Sequence, residues 1–176
     1  MGLSSVVKHS HDNGTIKIKD GTATPKVVTL RHDMANFAAE GFAEAMREIV
    51  AYISRGKLVS LRRAAPKWVT GSFGIMVTDL SEDTAGTASD MIHGKGAFAS
   101  RVSTTTAIGD AVTFDIEWTM EGNSYGDGAD HVLLLEDCAI EWGIGEGEPN
   151  SCSFSFTCYG NISVNGSVYI TAPRVS

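Results

Sequence analysis

From Val112 to Glu121 the chain alternates without a break. Val112, Phe114, Ile116, Trp118 and Met120 are apolar, while Thr113, Asp115, Glu117, Thr119 and Glu121 are polar, three of them acids. A β-strand places successive side chains on opposite faces, so this run specifies a strand with one dry face and one wet, acidic face. Val132–Leu135 opens a further strand, after which Cys138, Ile140, Trp142 and Ile144 alternate against Asp137 and Glu141. Cys152, Phe154, Phe156 and Cys158 alternate against Ser153, Ser155, Thr157 and Tyr159. Ile162–Val164 and Val168–Ile170 form a hairpin turning at Asn165-Gly166. Near the start, Ile16–Asp20 and Lys26–Arg31 make a first hairpin, and Trp68–Asp79 reads as a strand interrupted by Gly71 and Gly74. Ser81–His93 is the best single helix: Ser81 or Asp83 caps it, Ala85, Ala88, Met91 and Ile92 form its apolar stripe, and Gly94 stops it. The expected fold is mainly β, an antiparallel sandwich or barrel with one flanking α-helix. The expected organisation is an N-terminal arm over 1–13 and a single β domain over 14–176, a length suited to one core.

Met34–Ile53 supports two readings. Met34, Phe37, Ala38, Phe42, Ala45, Met46, Ile49 and Ile53 follow helical spacing, yet Glu48–Ile53 is rich in β-formers. Leu58-Val59-Ser60-Leu61 follows after Arg55-Gly56. A two-residue turn at Arg55-Gly56 sets Tyr52 against Val59, Val50 against Leu61 and Glu48 against Arg63, all on one face. This register favours a long hairpin over roughly 46–64. It puts apolar residues on both faces, with Ile49, Ile53 and Leu58 on one and Val50, Val59 and Leu61 on the other. A helix remains the alternative for 34–45.

Charge divides the chain. Residues 1–101 hold 13 of the 14 Lys and Arg against 10 acids, and residues 102–176 hold Arg174 alone against 11 acids. A nucleic-acid binder carries clustered cations, whereas this acidic half repels phosphate. The division suits a subunit whose two surfaces attract each other head to tail. The plainer reading is an acidic globular protein with a chance asymmetry. The three cysteines, Cys138, Cys152 and Cys158, are odd in number, which weighs against a disulfide framework and for buried, reduced thiols. No stretch approaches the roughly 18–20 apolar residues that cross a bilayer, and the N-terminus lacks the pattern of a signal peptide, so no membrane anchor is expected.

No cofactor, metal or catalytic set is expected. Gly143-Ile144-Gly145-Glu146-Gly147 lacks the last glycine of a phosphate-binding loop and carries acids where phosphate would sit. Gly71-Ser72-Phe73-Gly74 lacks the leading glycine of a nucleophile elbow. His9-Ser10-His11-Asp12, with His32-Asp33, is the nearest approach to a metal cluster, and a solvated or interface segment fits it better. Same-face acids two apart on a strand lie about 7 Å from each other, a glycosidase-like spacing, but a row of evenly spaced acids such as Asp115, Glu117 and Glu121 is usually just a charged surface, which is the favoured reading. Trp118 and Trp142 share the apolar parity of their strands, which assigns them to the core.

The order and spacing of these segments resemble the major tail tube proteins of long-tailed bacteriophages, from about residue 14 to 170. The resemblance begins with Gly14-Thr15-Ile16-Lys17-Ile18-Lys19-Asp20-Gly21 and Val27-Val28-Thr29-Leu30. It continues through Ile53-Ser54-Arg55-Gly56-Lys57-Leu58, the Pro66–Val77 strand and Thr87–Phe98. It is densest from Leu135-Glu136-Asp137-Cys138 through Glu146-Gly147-Glu148-Pro149-Asn150 to Phe154-Ser155-Phe156. The resemblance implies a non-enzymatic virion protein. Six copies form a ring, the long hairpins join into an inter-subunit β-barrel, and rings stack head to tail into a conduit for DNA ejection.

Several residue assignments follow from it. The hairpin candidates are Ile49, Val50, Tyr52, Ile53, Arg55, Gly56, Lys57, Leu58, Val59 and Leu61. The inter-ring charge candidates are Arg62 and Arg63. Asp115, Glu117 and Glu121, then Asp137 and Glu141, are candidates for an acidic lumen past which DNA slides without specific binding. Implied partners are further copies of the chain and the tape measure, tail terminator and tail tip proteins. A type VI secretion-like tube protein, a capsid decoration protein and a carbohydrate-binding β-sandwich are the alternatives.

Overall fold

The computed structural model describes residues 14–31, 36–42, 49–63, 68–77, 86–105, 111–120 and 129–171. The described part is mainly antiparallel β with one short helix. In chain order the strands are β1 (Thr15–Lys19), β2 (Val27–Arg31), β3 (Ala38–Glu40), β4 (Ile49–Ser54), β5 (Lys57–Arg63) and β6 (Val69–Met76). Helix α1 (Ala88–His93) and a 3-10 turn at Gly96–Phe98 follow. The last strands are β7 (Phe114–Met120), β8 (His131–Gly145), β9 (Ser151–Cys158), β10 (Ile162–Val164) and β11 (Ser167–Ile170). Nine strands form one sheet in the order β2-β1-β7-β8-β9-β6-β3, with β10 on β8 and β11 on β10, while β4 and β5 form a separate two-stranded sheet.

The sheet curls until its dry face meets itself. Ile16, Ile18, Phe114, Ile116, Leu135, Phe154, Phe156 and Phe73 are buried on that face. Phe73 and Phe154, opposite each other in register, stack at 4.9 Å. Phe37 lies just before β3 at one end of the sheet, yet it stacks at 4.5 Å on Trp118 of β7, four strands away along the ladder. It also lies 5.9 Å from Phe156. Each buried phenylalanine contributes about 2–3 kcal/mol from area removed from water, so this aromatic seam holds the curl. Gly71 makes room for it: a Cβ there would meet the Phe156 ring and the Ala38 carbonyl at 2.4 Å. The glycine that interrupts the sequence pattern therefore seats the central aromatic.

Both terminal hairpins form as expected, with β1 against β2 and β10 against β11. Asn165 and Gly166 both take positive φ at the second turn. The change of parity between Leu135 and Cys138 becomes a β-bulge. The β7–β8 register shifts between Phe114↔Cys138 and Ile116↔Leu135, and Asp137 takes φ 53.

Three expectations change. Residues 38–40 are strand, paired with β6, so no helix runs through 34–45; the remainder of that segment, apart from 36–42, lies outside the described residues. The helix starts at Ala88 rather than Ser81. Gly86 has φ 73, which a helix cannot carry, and Thr87 closes a capping box with Asp90. Ser81, Asp83 and Ala85 lie outside the described residues. Third, Thr113 is buried although it falls on the polar parity. Its hydroxyl lies 3.1 Å from the Ser103 hydroxyl, 3.0 Å from the Thr104 hydroxyl and 2.9 Å from the Thr105 amide. The wet/dry alternation therefore begins at Phe114. The arm over 1–13, the histidine cluster His9–Asp12, His32-Asp33 and Glu121 lie outside the described residues.

Candidate functional site

The hairpin β4–β5 is the feature that the core does not explain. Its turn is Arg55-Gly56, and both residues have positive φ (50 and 75), the mirror-image turn that matches strand twist in a two-residue hairpin. Gly56 takes this conformation without strain. Among the described residues the hairpin forms no ladder with the nine-stranded sheet. Two strands alone are marginal in water, and their outer edges present unpaired backbone groups.

The register corrects the sequence expectation. Ser54 pairs with Lys57 and Ile53 with Leu58, as a two-residue turn demands, but the ladder then shifts. Tyr52 pairs with Ser60, Ala51 with Leu61, Val50 with Arg62 and Ile49 with Arg63, so Val59 is an extra residue on β5 and Leu61 does not face Val50. A one-residue shift transfers side chains to the opposite face. The hairpin thus becomes two-faced. Ala51, Ile53, Leu58 and Leu61 form an apolar run on one face. Val50, Tyr52, Ser54, Lys57, Ser60 and Arg62 share the other, where the Arg62 guanidinium lies 5.6 Å from the Tyr52 ring centre. The apolar face is open to solvent, with Ile53 68%, Leu58 59% and Leu61 60% exposed. Val59 is also exposed.

The acidic candidates divide by environment. Glu117 accepts hydrogen bonds from Lys17 Nζ at 2.8 Å and from Lys19 Nζ, so the wet face of β7 is neutralised by β1. Burial acts to raise the Glu117 carboxyl, but the two lysines outweigh it and hold it below its ordinary value. Burial raises the Asp115 carboxyl, against the Asp137 amide that donates to its Oδ1 at 3.0 Å; Glu136 and Asp137 add to the rise. Asp115 thereby holds the bulge of β8. Asp137 supplies that amide and is half-buried, and Glu141 is exposed. Asp115 and Glu117 thus have work within the fold, and Glu141 is the member of the described set free to present its charge.

Trp118 and Trp142 sit half-buried against the core, while Trp68 is exposed. Trp142 Nε1 donates to His93 Nε2 at 2.9 Å, tying β8 to the end of α1. All three cysteines are free and buried. Among the described residues no group of three or more His, Cys, Asp or Glu side chains is placed to hold a metal ion, and no helix is long and apolar enough to cross a membrane. Sequence reasoning found the hairpin and its turn but missed the bulge that sorts its faces, because no glycine or polar residue marks Val59.

No protein-family profile and no curated protein matches the sequence. Solved structures do match the fold. A chain of the sheath-tube complex of PVC, an extracellular contractile injection system in its extended state, aligns with TM-score 0.54 at 6% identity over 94% of this chain and 99% of its own. A chain of the sheath/tube terminator of PVC gives TM-score 0.50 at 6% identity over 86% and 93%. A chain of the six-fold symmetrised baseplate of the anti-feeding prophage (AFP) gives TM-score 0.50 at 10% identity over 94% and 98%. At these identities the likeness is one of fold, and it spans nearly the whole of each partner chain.

Proposed function

We propose that this chain is a structural subunit of a phage-like tail tube, and that its β4–β5 hairpin joins copies of itself. The observation that carries the reading is the hairpin: among the described residues, a two-stranded sheet that pairs with no other strand and bears a solvent-exposed apolar run on one face. A neighbouring copy's hairpin supplies strands for those edges, and closing the ladder around a ring removes them altogether. The apolar face then packs against the bodies of adjacent subunits, and the opposite face, with Tyr52 and Ser60, turns to water in the channel, while Arg62, next to the end of β5, meets the neighbouring ring. Six copies make one ring, and rings stack head to tail because a heterologous contact along the axis does not close. The protein acts as a conduit and not as an enzyme. It resides in the virion tail, with tape measure, terminator and tip proteins as partners. Glu141 and, more weakly, Asp137 supply lumen acidity that keeps DNA from adhering.

A second reading has its own support. Two of the solved structures of like fold come from an extracellular contractile injection system, which favours a tube of a contractile particle related to type VI secretion. The two readings share the assembly and differ in what passes through it. Mass measurement of the purified protein tests the shared part: the expected species is a six-fold multiple of the 18.7 kDa chain and stacks of it. The double substitution Arg62→Glu, Arg63→Glu is expected to shorten tubes at least several-fold, and added salt to act in the same direction on wild type. Wild-type tube lengths in that variant would remove the inter-ring role of these arginines.

A further inference from the structure

Cys138 and Cys158 stand directly opposite each other on β8 and β9. The amide of Tyr159 donates to the Asp137 carbonyl at 3.2 Å. That bond joins the residue after one cysteine to the residue before the other, which makes the pair a non-hydrogen-bonded one. In such pairs the Cα atoms approach to about 4.5 Å and the side chains are closest, within the span a disulfide tolerates. Both sulfurs converge on one backbone oxygen: Cys158 Sγ lies 3.1 Å and Cys138 Sγ 3.9 Å from the Glu136 carbonyl. The adjoining bulge at Asp137 interrupts the ladder beside them. Cys152 belongs to the same strand as Cys158 but faces Ile144, so it has no thiol opposite.

We propose that Cys138 and Cys158 are an oxidative modification site, forming a cross-strand disulfide that staples β8 to β9 at the bulge when the protein meets a peroxide. The chemistry balances with the peroxide as the two-electron oxidant. The Cys158 sulfur attacks a peroxide oxygen, breaking the O–O bond and giving a sulfenic acid and water. The Cys138 sulfur then displaces the sulfenic oxygen, which leaves as a second water. Two thiols and one peroxide yield one disulfide and two waters. The staple cross-links the two strands at the centre of the sheet, so it constrains the unfolded chain and leaves the apolar hairpin untouched. The inference does not depend on the tube reading.

The test treats the reduced full chain with hydrogen peroxide at about pH 8.5, where thiols are more readily ionised. Remaining thiols are then counted after denaturation, and peptides are mapped with a glutamate-specific protease followed by chymotrypsin. The expected result is a fall from three titratable thiols to one, a mass loss of about 2 Da, a peptide joining Cys138 to Cys158, and a Tm raised by about 5–10 °C. Cys152→Ser is expected to keep the cross-link and Cys158→Ser to abolish it. Because the map is made on wild type, a variant that fails to fold does not decide the matter. Three surviving thiols, a cross-link through Cys152, or cross-links only between chains would each overturn the proposal.

Discussion

Replacing Leu58 and Leu61 together by Asp is expected to leave a folded monomer that no longer assembles. Both leucines lie on the apolar hairpin face and are already about three-fifths exposed within the chain, so their loss costs the isolated subunit little, within a few degrees of Tm. In the proposed ring each is buried. Full burial of a leucine contributes about 1.5–3 kcal/mol, and a carboxylate in its place adds the cost of removing charge from water. The two positions together amount to well over ~100-fold in subunit association. Ser60→Asp, on the opposite face, is the matched control and is expected to assemble. Sedimentation velocity of the three proteins at equal concentration checks this. If the double variant assembles as wild type does, the hairpin is not the joint.

Asp20→Ala is expected to be the most damaging single polar substitution for the subunit itself. Asp20 is 2% exposed and terminates the first hairpin strand. Its Oδ1 accepts the Lys26 amide at 2.7 Å, the Thr22 hydroxyl at 2.7 Å and the Thr22 amide at 3.3 Å, and its Oδ2 accepts the Val102 amide at 3.3 Å. One carboxylate thus shapes the turn between β1 and β2 and docks it on the segment after the 3-10 turn. Burial acts to raise this carboxyl, but those four bonds prevail and hold it below its ordinary value. Alanine removes the acceptor and strands buried amides, a loss of about 2–4 kcal/mol. A lowered carboxyl stabilises the fold above its unfolded-state pKa, and that contribution is lost as pH falls through the folded value. The Tm gap between wild type and Asp20→Ala should therefore be full at neutral pH and shrink under strongly acid conditions. Calorimetry at both ends of that range checks the sign, and a gap that widens in acid would contradict it.

Most strands were legible because their dry faces repeat every two residues. Val112–Met120 and Cys152–Cys158 declare themselves by alternation, and the terminal hairpins by Asn165-Gly166 and by the break at Gly21. The bulge in β8 was half legible. Its parity change lies in the sequence between Leu135 and Cys138, but its purpose needs Asp115, on another strand, to hold the Asp137 amide. Residues 34–45 stayed open between helix and strand because Phe37 and Phe42 happen to follow helical spacing, whereas Phe37 is placed by stacking on Trp118 across the curled sheet. Such long-range contacts leave no local pattern. The hairpin's turn was legible and its faces were not, since Val59 looks like any strand residue yet shifts every partner beyond it. The acidic candidates show the same limit from the other side: Glu117 reads as a free surface charge until Lys17 and Lys19 are found beside it.

Self-assembly into a hollow tube is tested most directly by electron microscopy of the negatively stained wild-type protein over a concentration series. Hollow rings or tubes of uniform width, lengthening as concentration rises, are expected. Compact single subunits at every concentration, including after addition of a tail-tip initiator, would contradict it.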